Sequence, residues 1–177
     1  MSLVSAAEGK QTDKLSAHSY LPIYERHFAS LRDRSEGVLE IGAWYGGSLL
    51  LWAEYFSRAT IFGCDVNSVP LAVDTDPRIR IVGVDAYSPY AMTFFPSLGP
   101  FVVIIDDGPH TLESQKTFCA NFPGLLATGG IAIVEDVQLV EHFPILIEHV
   151  PKGFHTAIVD LRHIKDRSDD MLLLIWK

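Results

Sequence analysis

The chain is predicted to be an α/β protein whose mostly parallel, doubly wound sheet ends in an antiparallel C-terminal hairpin. Three observations lead there. Strand-like and helix-like segments alternate through five successive units, which calls for parallel strands covered on both faces. The run "FVVIIDDG" (101–108) is unbroken, β-branched and bounded by turn residues, the pattern of a strand buried on both sides. The last two apolar segments, "HTAIVDLRHI" (155–164) and "MLLLIWK" (171–177), are joined by the polar "KDRSDD", which leaves no room for a crossover helix, so they should pair antiparallel.

The elements follow in order. Residues 14–33 place Leu15, Tyr20, Ile23, Tyr24, His27, Phe28 and Leu31 at mixed helical spacing, a helical lead-in started or interrupted near Pro22. "GVLEIGA" (37–43) is the first strand and "GSLLLWAEYFSR" (47–58) the helix after it. "TIFGCDV" (60–66) is the second strand, followed by the proline-broken "NSVPLAVDTDP" (67–77). "IRIVGVDA" (79–86) is the third, with a short helical piece near 89–95. After the fourth strand a helix spans 111–122, with Thr111 as its cap and Glu113 in its first turn, and Pro123 ends it. "GIAIVED" (130–136) is the fifth strand and "VEHFPILIEHV" (140–150) a further helix.

A length of 177 residues fits one domain, divided here into a lead-in (1–34) and a core (35–177). A net charge of −8 and a pI near 5.2 argue against nonspecific binding to nucleic acid or anionic membrane. Two cysteines, Cys64 in a strand and Cys119 in a helix, read as reduced thiols. With no leader pattern and no apolar segment long enough to span a bilayer, a cytoplasmic protein is expected. A homo-oligomer is compatible with the sequence.

The glycine turn "VLEIGAWYGG" (38–47) carries the first functional signal. A dinucleotide fingerprint needs G-x-G-x-x-G, with the middle glycine admitting a pyrophosphate. Trp44 stands at that position and Glu40 would repel phosphate. S-adenosylmethionine has no phosphate and carries a sulfonium and an ammonium, which a carboxylate attracts. The E-x-G-x-x-x-G pattern fits the first motif of class I methyltransferases. Asp65 at the end of the second strand can accept from ribose hydroxyls, and Asp85 at the end of the third from the adenine amino group. A single acid at a strand end would only start a turn. Glu40, Asp65 and Asp85 at three successive ends point to a ligand.

"DKLSAHSYLPIYERHF" (13–28), "VIIDDGPH" (103–110), "GGIAIVEDV" (129–137) and "VDLRHIKDRSDDMLLLIWK" (159–177) resemble segments of Rossmann-like class I methyltransferases. The resemblance is to the group of macrolide sugar O-methyltransferases, mycinamicin and macrocin O-methyltransferases among them, and cephalosporin-hydroxylase-like proteins. It implies a divalent-metal-dependent enzyme, with Mg²⁺ first, that methylates a hydroxyl of a small sugar-like or natural-product molecule. Matched by motif, the metal ligands fall on Asp107, Glu135 and Asp136 and the base on His110, with Asp106 able to exchange roles with Asp107. Cofactor contacts are expected from Glu40, Gly42, Ala43, Trp44, Tyr45 and Gly46, from Asp65, Asp85 and Ala86, and from Asp106. No two-histidine, one-carboxylate iron pattern supports a hydroxylase.

The chemistry of the acids agrees with that implication. Carboxylates converging from neighbouring strand ends repel unless one is protonated or a cation enters, and oxygen donors select a hard ion. His110 could take a substrate proton near neutral pH. The competing readings are a noncatalytic cofactor-binding protein and an NAD-linked oxidoreductase. His18, Tyr20 and Tyr24 could line the cofactor mouth, but aromatics in a lead-in helix are expected to pack on the sheet; "DRSDD" is expected to be a solvated turn, and Arg162 and Lys165 could contact a partner chain or an acidic ligand.

Overall fold

In the computed structural model, which describes residues 2–67 and 76–177, the apolar runs become strands in the order the alternation predicts. They are β1 (Gly37–Ile41), β2 (Ile61–Asp65), β3 (Ile79–Gly83), β4 (Phe101–Asp106), β5 (Leu126–Val134), β6 (His155–Asp160) and β7 (Met171–Trp176). Among the described residues they form one seven-stranded sheet in the order β3-β2-β1-β4-β5-β7-β6. β1 to β5 run parallel. β7 pairs antiparallel with both β5 and β6. The helices are α1 (Leu3–Ala7), α2 (Asp13–Ser16), α3 (Leu21–Phe28), α4 (Gly47–Tyr55), α5 (Ala91–Phe94), α6 (Leu112–Asn121), α7 (His142–His149) and α8 (Arg162–Lys165).

Alternate residues of the central strands feed two cores, which is why these strands read as continuous apolar runs. Val103, Ile105, Ile133, Leu172 and Leu174 pack with Tyr24 and Phe28 of α3 and Leu49 and Trp52 of α4. Ile104, Ala132, Val134, Leu173 and Ile175 face Phe118 of α6 and Phe143 and Leu146 of α7. Among the described residues no helix is long and apolar enough to cross a membrane.

Local chemistry sets the helix ends. Thr111 caps α6 through its side chain, which accepts from the Ser114 N–H at 3.2 Å, and Glu113 lies in the first turn. Pro22 occupies the first turn of α3, where its missing N–H has no intrahelical partner to lose. The lead-in breaks between α2 and α3, so the helix expected near 14–33 is two short ones, with α1 ahead of them.

Other boundaries also move. β5 starts at Leu126, four residues before the expected 130, and the register slips opposite Phe101 and Val103. Gly129, with φ +73°, lies in that irregularity. β6 stops at Asp160, whose carboxylate accepts from the Arg162 N–H at 3.2 Å and pairs with its guanidinium, and 162–165 turn helical as α8. The "DRSDD" turn is not all solvated: Asp170 is fully buried and accepts from the Ser19 N–H at 3.1 Å. Lys165 donates to the carbonyls of His18 (2.6 Å) and Leu15 (3.0 Å). The hairpin connection therefore grips the lead-in. The proline-broken segment expected after β2 falls mainly on residues 68–75, outside the described residues.

β7 lies inside the sheet, between β5 and β6, so its side chains are core rather than edge. Leu173→Ala should cost about 2–5 kcal/mol, the usual range for emptying a buried leucine site, read as a lowered midpoint in urea. A midpoint equal to the parent's would place β7 outside the cooperative core.

Candidate active site

The strand order reverses between β1 and β4, and in open α/β sheets the crevice beyond the carboxyl ends at such a point is where ligands bind. Pairing continues one residue past the strands: Asp107 N–H donates to Ile41 O (2.8 Å) and Glu135 N–H to Asp106 O (3.0 Å). The exit loops therefore cross closely. Gly42 has φ +89°, and a β-carbon there would lie 1.8 Å from the Asp107 carbonyl oxygen. Only glycine fits. At Gly47 a β-carbon would lie 1.9 Å from the carbonyl oxygen of Gln11, so the lead-in lies across the start of α4.

Above these ends is a cavity of about 640 Å³. Gly42, Ala43, Trp44, Tyr45, Asp65, Asp85 and Ala86 line it, with Thr12 and Asp13 of the lead-in and Asp107 and His110 on the β4 side. Among its described lining residues there is no lysine or arginine. Asp65 accepts from the Trp44 N–H at 2.9 Å, and Asp85 from the Tyr87 N–H at 3.0 Å. Trp44 and Tyr45 are exposed, their ring centroids 4.5 Å apart, and form an aromatic rim rather than core.

Three of the residues expected at the cofactor stand elsewhere. Gly46 is the N-cap of α4, at φ +76°, outside the cavity lining. Glu40 does not reach the cavity: it is fully buried, accepts from the Ser48 hydroxyl and faces Lys14. Asp106 is buried beneath the cavity and accepts from the Tyr87 hydroxyl, while its neighbour Asp107 turns into the site. Consecutive residues leaving a strand point to opposite sides, and that separates the two aspartates.

The acids form two sets back to back. In the inner one the Lys14 ammonium lies 2.6 Å from Asp107 Oδ2, 2.8 Å from Glu135 Oε2 and 3.3 Å from Glu40 Oε1. The other oxygen of Glu135 accepts from the Tyr24 hydroxyl. In the outer set, His110 Nε2 lies 3.7 Å from Asp107 Oδ1 and 3.5 Å from Asp136 Oδ2. Asp136 Oδ1 accepts from Tyr20, and His18 Nδ1 stands 3.4 Å from it and 3.2 Å from Asp170 Oδ1. Glu135, expected as a metal ligand beside Asp136, is thus turned away from it, its two oxygens taken by Lys14 and Tyr24. Asp107 belongs to both sets.

Strain marks the same place. His110 has φ +53°, Asp136 φ +52° and Trp44 φ +42°, all in the left-handed region that L side chains adopt at a cost. Burial alone would lower the Lys14 pKa, but Asp107, Glu135 and Glu40 outweigh it and hold the ammonium charged. Burial pushes the carboxyls of Glu40, Glu135 and Asp136 upward, against the pull of Lys14 on the first two and of Tyr20 on the third.

The sequence reading missed Lys14 and the roles of His18, Tyr20 and Tyr24. One signal for the tyrosines was available: at i and i+4 they share a helix face, so their hydroxyls reach one site. Lys14 carried no local signal, because its partners lie 26 to 121 positions away in the chain.

Burial lifts Asp106 from an ordinary 3.8 to about 7. As pH rises through that window the unfolded chain releases the proton first, so this group's contribution to stability falls with pH. Asp106→Asn keeps an acceptor for Tyr87 and removes the titration. Its melting temperature should fall less than the parent's between about pH 5 and about pH 8; parallel curves would mean Asp106 ionises as it does when unfolded.

No family profile matches the chain. It is 34% identical over 157 residues to the 8-demethyl-8-alpha-L-rhamnosyl tetracenomycin-C 2'-O-methyltransferase of Streptomyces olivaceus, covering 77% of this chain and 41% of that protein. It is 37% identical over 131 residues to the demethylmacrocin O-methyltransferase of Streptomyces fradiae, covering 69% of this chain and 32% of the relative. Among solved structures, the MycE methyltransferase of the mycinamycin biosynthetic pathway, in complex with Mg and SAH, superposes over 100% of this chain and 54% of its own, with a TM-score of 0.76 and 25% identity. The Methanococcus jannaschii fibrillarin pre-rRNA processing protein, at 17% identity and a TM-score of 0.62 over 81% of this chain and 67% of its own, shares the fold. The chain thus spans 32% to 41% of the length of these curated relatives.

Proposed function

Because the chain has the class I methyltransferase fold and is related in sequence to sugar O-methyltransferases, we propose that it binds S-adenosylmethionine in the strand-end cavity and methylates a hydroxyl of a small, sugar-like or natural-product molecule. The observation that carries this reading is an acidic cavity, without lysine or arginine among its described lining, that has His110 between two aspartates at one side. A phosphate-bearing dinucleotide would find no cationic partner there and would meet Trp44 where its pyrophosphate must approach. A cationic, phosphate-free cofactor fits.

Asp65 is the acceptor for the ribose hydroxyls and Asp85 for the adenine amino group, with Trp44 and Tyr45 walling the open side. The outer acids suit one Mg²⁺: Asp107 Oδ1 and Asp136 Oδ2 are hard donors close together, and this ion is held by one or two carboxylates plus waters. When bound, such an ion lowers the pKa of a coordinated hydroxyl and fixes its oxygen. His110, whose Nε2 faces the same two aspartates, takes the proton. Glu135 steadies the set from behind through Lys14. The two free, buried thiols, Cys64 and Cys119, suit a reducing cytoplasm.

Calorimetry with S-adenosylhomocysteine should show saturable binding, weakened about ten- to a hundredfold in Asp65→Ala, as expected for losing hydrogen bonds to a charged group. Saturable NADH binding with no response to S-adenosylhomocysteine would overturn the choice of cofactor. With radiolabelled S-adenosylmethionine and demethylmacrocin as test acceptor, chelation should abolish transfer and leave S-adenosylhomocysteine binding nearly intact. His110→Ala should lower the rate by about two to four powers of ten, less so at high pH. Cofactor binding without transfer to hydroxylated acceptors would favour a binding protein over an enzyme.

A further inference from the structure

Phe118, Cys119 and Phe122 form the core-facing row of α6 and its end, and Gln115 stands in that row at helical spacing, as deeply buried as they are. Its Oε1 has no donor among the described residues, a cost that an apolar side chain at this position would avoid. The other end of the amide shows what it is there for. Nε2 lies 3.0 Å from the carbonyl oxygen of Glu135 and 3.5 Å from that of Asp136. Both neighbours are acceptors, so the NH₂ group must face them. These carbonyls belong to the two peptides flanking the Asp136 α-carbon, whose φ is +52°. Two carbonyl dipoles directed at one point repel, and two N–H groups between them offset that. Gln138 also donates to the Asp136 carbonyl, at 3.0 Å, but from within the same loop. Only Gln115 ties the loop to α6, whose cap Thr111 directly follows His110 and accepts from the Gln115 N–H through its carbonyl at 3.0 Å.

We propose that Gln115 is a positioning residue: its side-chain amide ties the β5 exit to the first turns of α6 and holds Asp136 in the left-handed conformation that brings Oδ2 to 3.5 Å from His110 Nε2. One helix then fixes both partners, His110 through the Thr111 cap and Asp136 through the Gln115 amide. Gln115 itself lies outside the cavity lining and acts only through Asp136. That the Asp136 carboxylate serves an ion rests on the function proposed above, whereas the backbone tie does not.

Gln115→Met keeps the length of the side chain and removes both N–H groups. Hydrogen exchange followed by nuclear magnetic resonance, with no ion added, reads the tie through the Glu135 and Val137 amides, which donate to the Asp106 and Met171 carbonyls. In the variant they should exchange about tenfold faster or more, relative to the amides of β4, as a locally loosened segment does. Titration with Mn²⁺, followed by the electron paramagnetic resonance of the free ion, should show binding at the outer acids weakened about 10- to 100-fold, the usual effect of removing a support behind a ligand. Phe118→Leu, one turn along the same face, loosens the core without touching the tie. It should leave both readings at the parent's values whatever it does to the melting temperature. Unchanged relative exchange in a folded Gln115→Met protein overturns the inference. So does faster exchange with the parent's Mn²⁺ affinity, or a Phe118→Leu protein that matches Gln115→Met in both readings. A parent that binds no Mn²⁺ would fail the functional reading's metal site, and exchange alone would then decide the tie. If Gln115→Met is insoluble, Gln115→Asn, whose amide is withdrawn by one methylene, should shift both readings in the same direction, and parent values in it overturn the inference.

Discussion

Glu40 and Glu135 are buried at or just beyond the ends of their strands, with the partly exposed Asp107 against them, and the Lys14 ammonium is the charge that makes this tolerable. Unit charges about 4 Å apart interact by about 4 kcal/mol at the effective dielectric of a protein site. Three mutual repulsions of that size would match the whole stability of an ordinary domain, about 5–15 kcal/mol. One ammonium within 3.3 Å of all three carboxylates turns the balance. Tyr24 and Ser48 each supply a hydroxyl to an oxygen the lysine does not reach. The outer face of the cluster, where Asp107 and Asp136 meet His110, is thereby built on a fixed foundation.

Backbone geometry completes what the charges begin. The β1 and β4 exits pass so close that Gly42 has no room for a side chain, and this contact sets the position of Asp107 relative to the glycine turn. Left-handed conformations at His110 and Asp136 turn both side chains toward one point from two different loops. The lead-in closes the arrangement: Gln11 lies over Gly47, Lys14 enters the acids, and Tyr20 and Tyr24 clamp Asp136 and Glu135. A cavity for a small molecule, the acids beside it and the segment above it are consequently one mechanical unit.

The sheet was legible in the sequence because its information is local. An unbroken run such as Phe101–Asp106 states its own burial, and a polar link too short for a crossover states that β6 and β7 are antiparallel. Acids at strand ends could be located for the same reason. What could not be read was orientation. Whether Asp106 or Asp107 enters the site, and whether Glu135 faces Asp136 or Lys14, depends on how each exit loop turns. Glu40 looked like a carboxylate awaiting a cationic ligand, and the cation that meets it is a lysine 26 positions earlier. Asp170 looked like part of a solvated turn, but Ser19 and His18, from the other end of the sequence, bury it. Long-range polar pairs leave no periodic trace, and the misread residues are those whose partners are distant.

The placement of β7 between β5 and β6 has a consequence for how the chain reaches this state. β6 is synthesised before β7, yet its ladder partner is β7, so β6 must wait unpaired while the following segment is made. During that interval the outer edge of β5, a strand with a wholly apolar second half, is open to pairing with the wrong neighbour. Native order requires that β6 stay off the free edge of β5 until the β6–β7 hairpin closes and β7 docks on that edge. Such a non-local step is slow compared with closing a hairpin, and it concentrates the hazard of aggregation in a single stage of folding. The exposed Asp160–Arg162 ion pair at the end of β6 puts charge on the strand that has to wait.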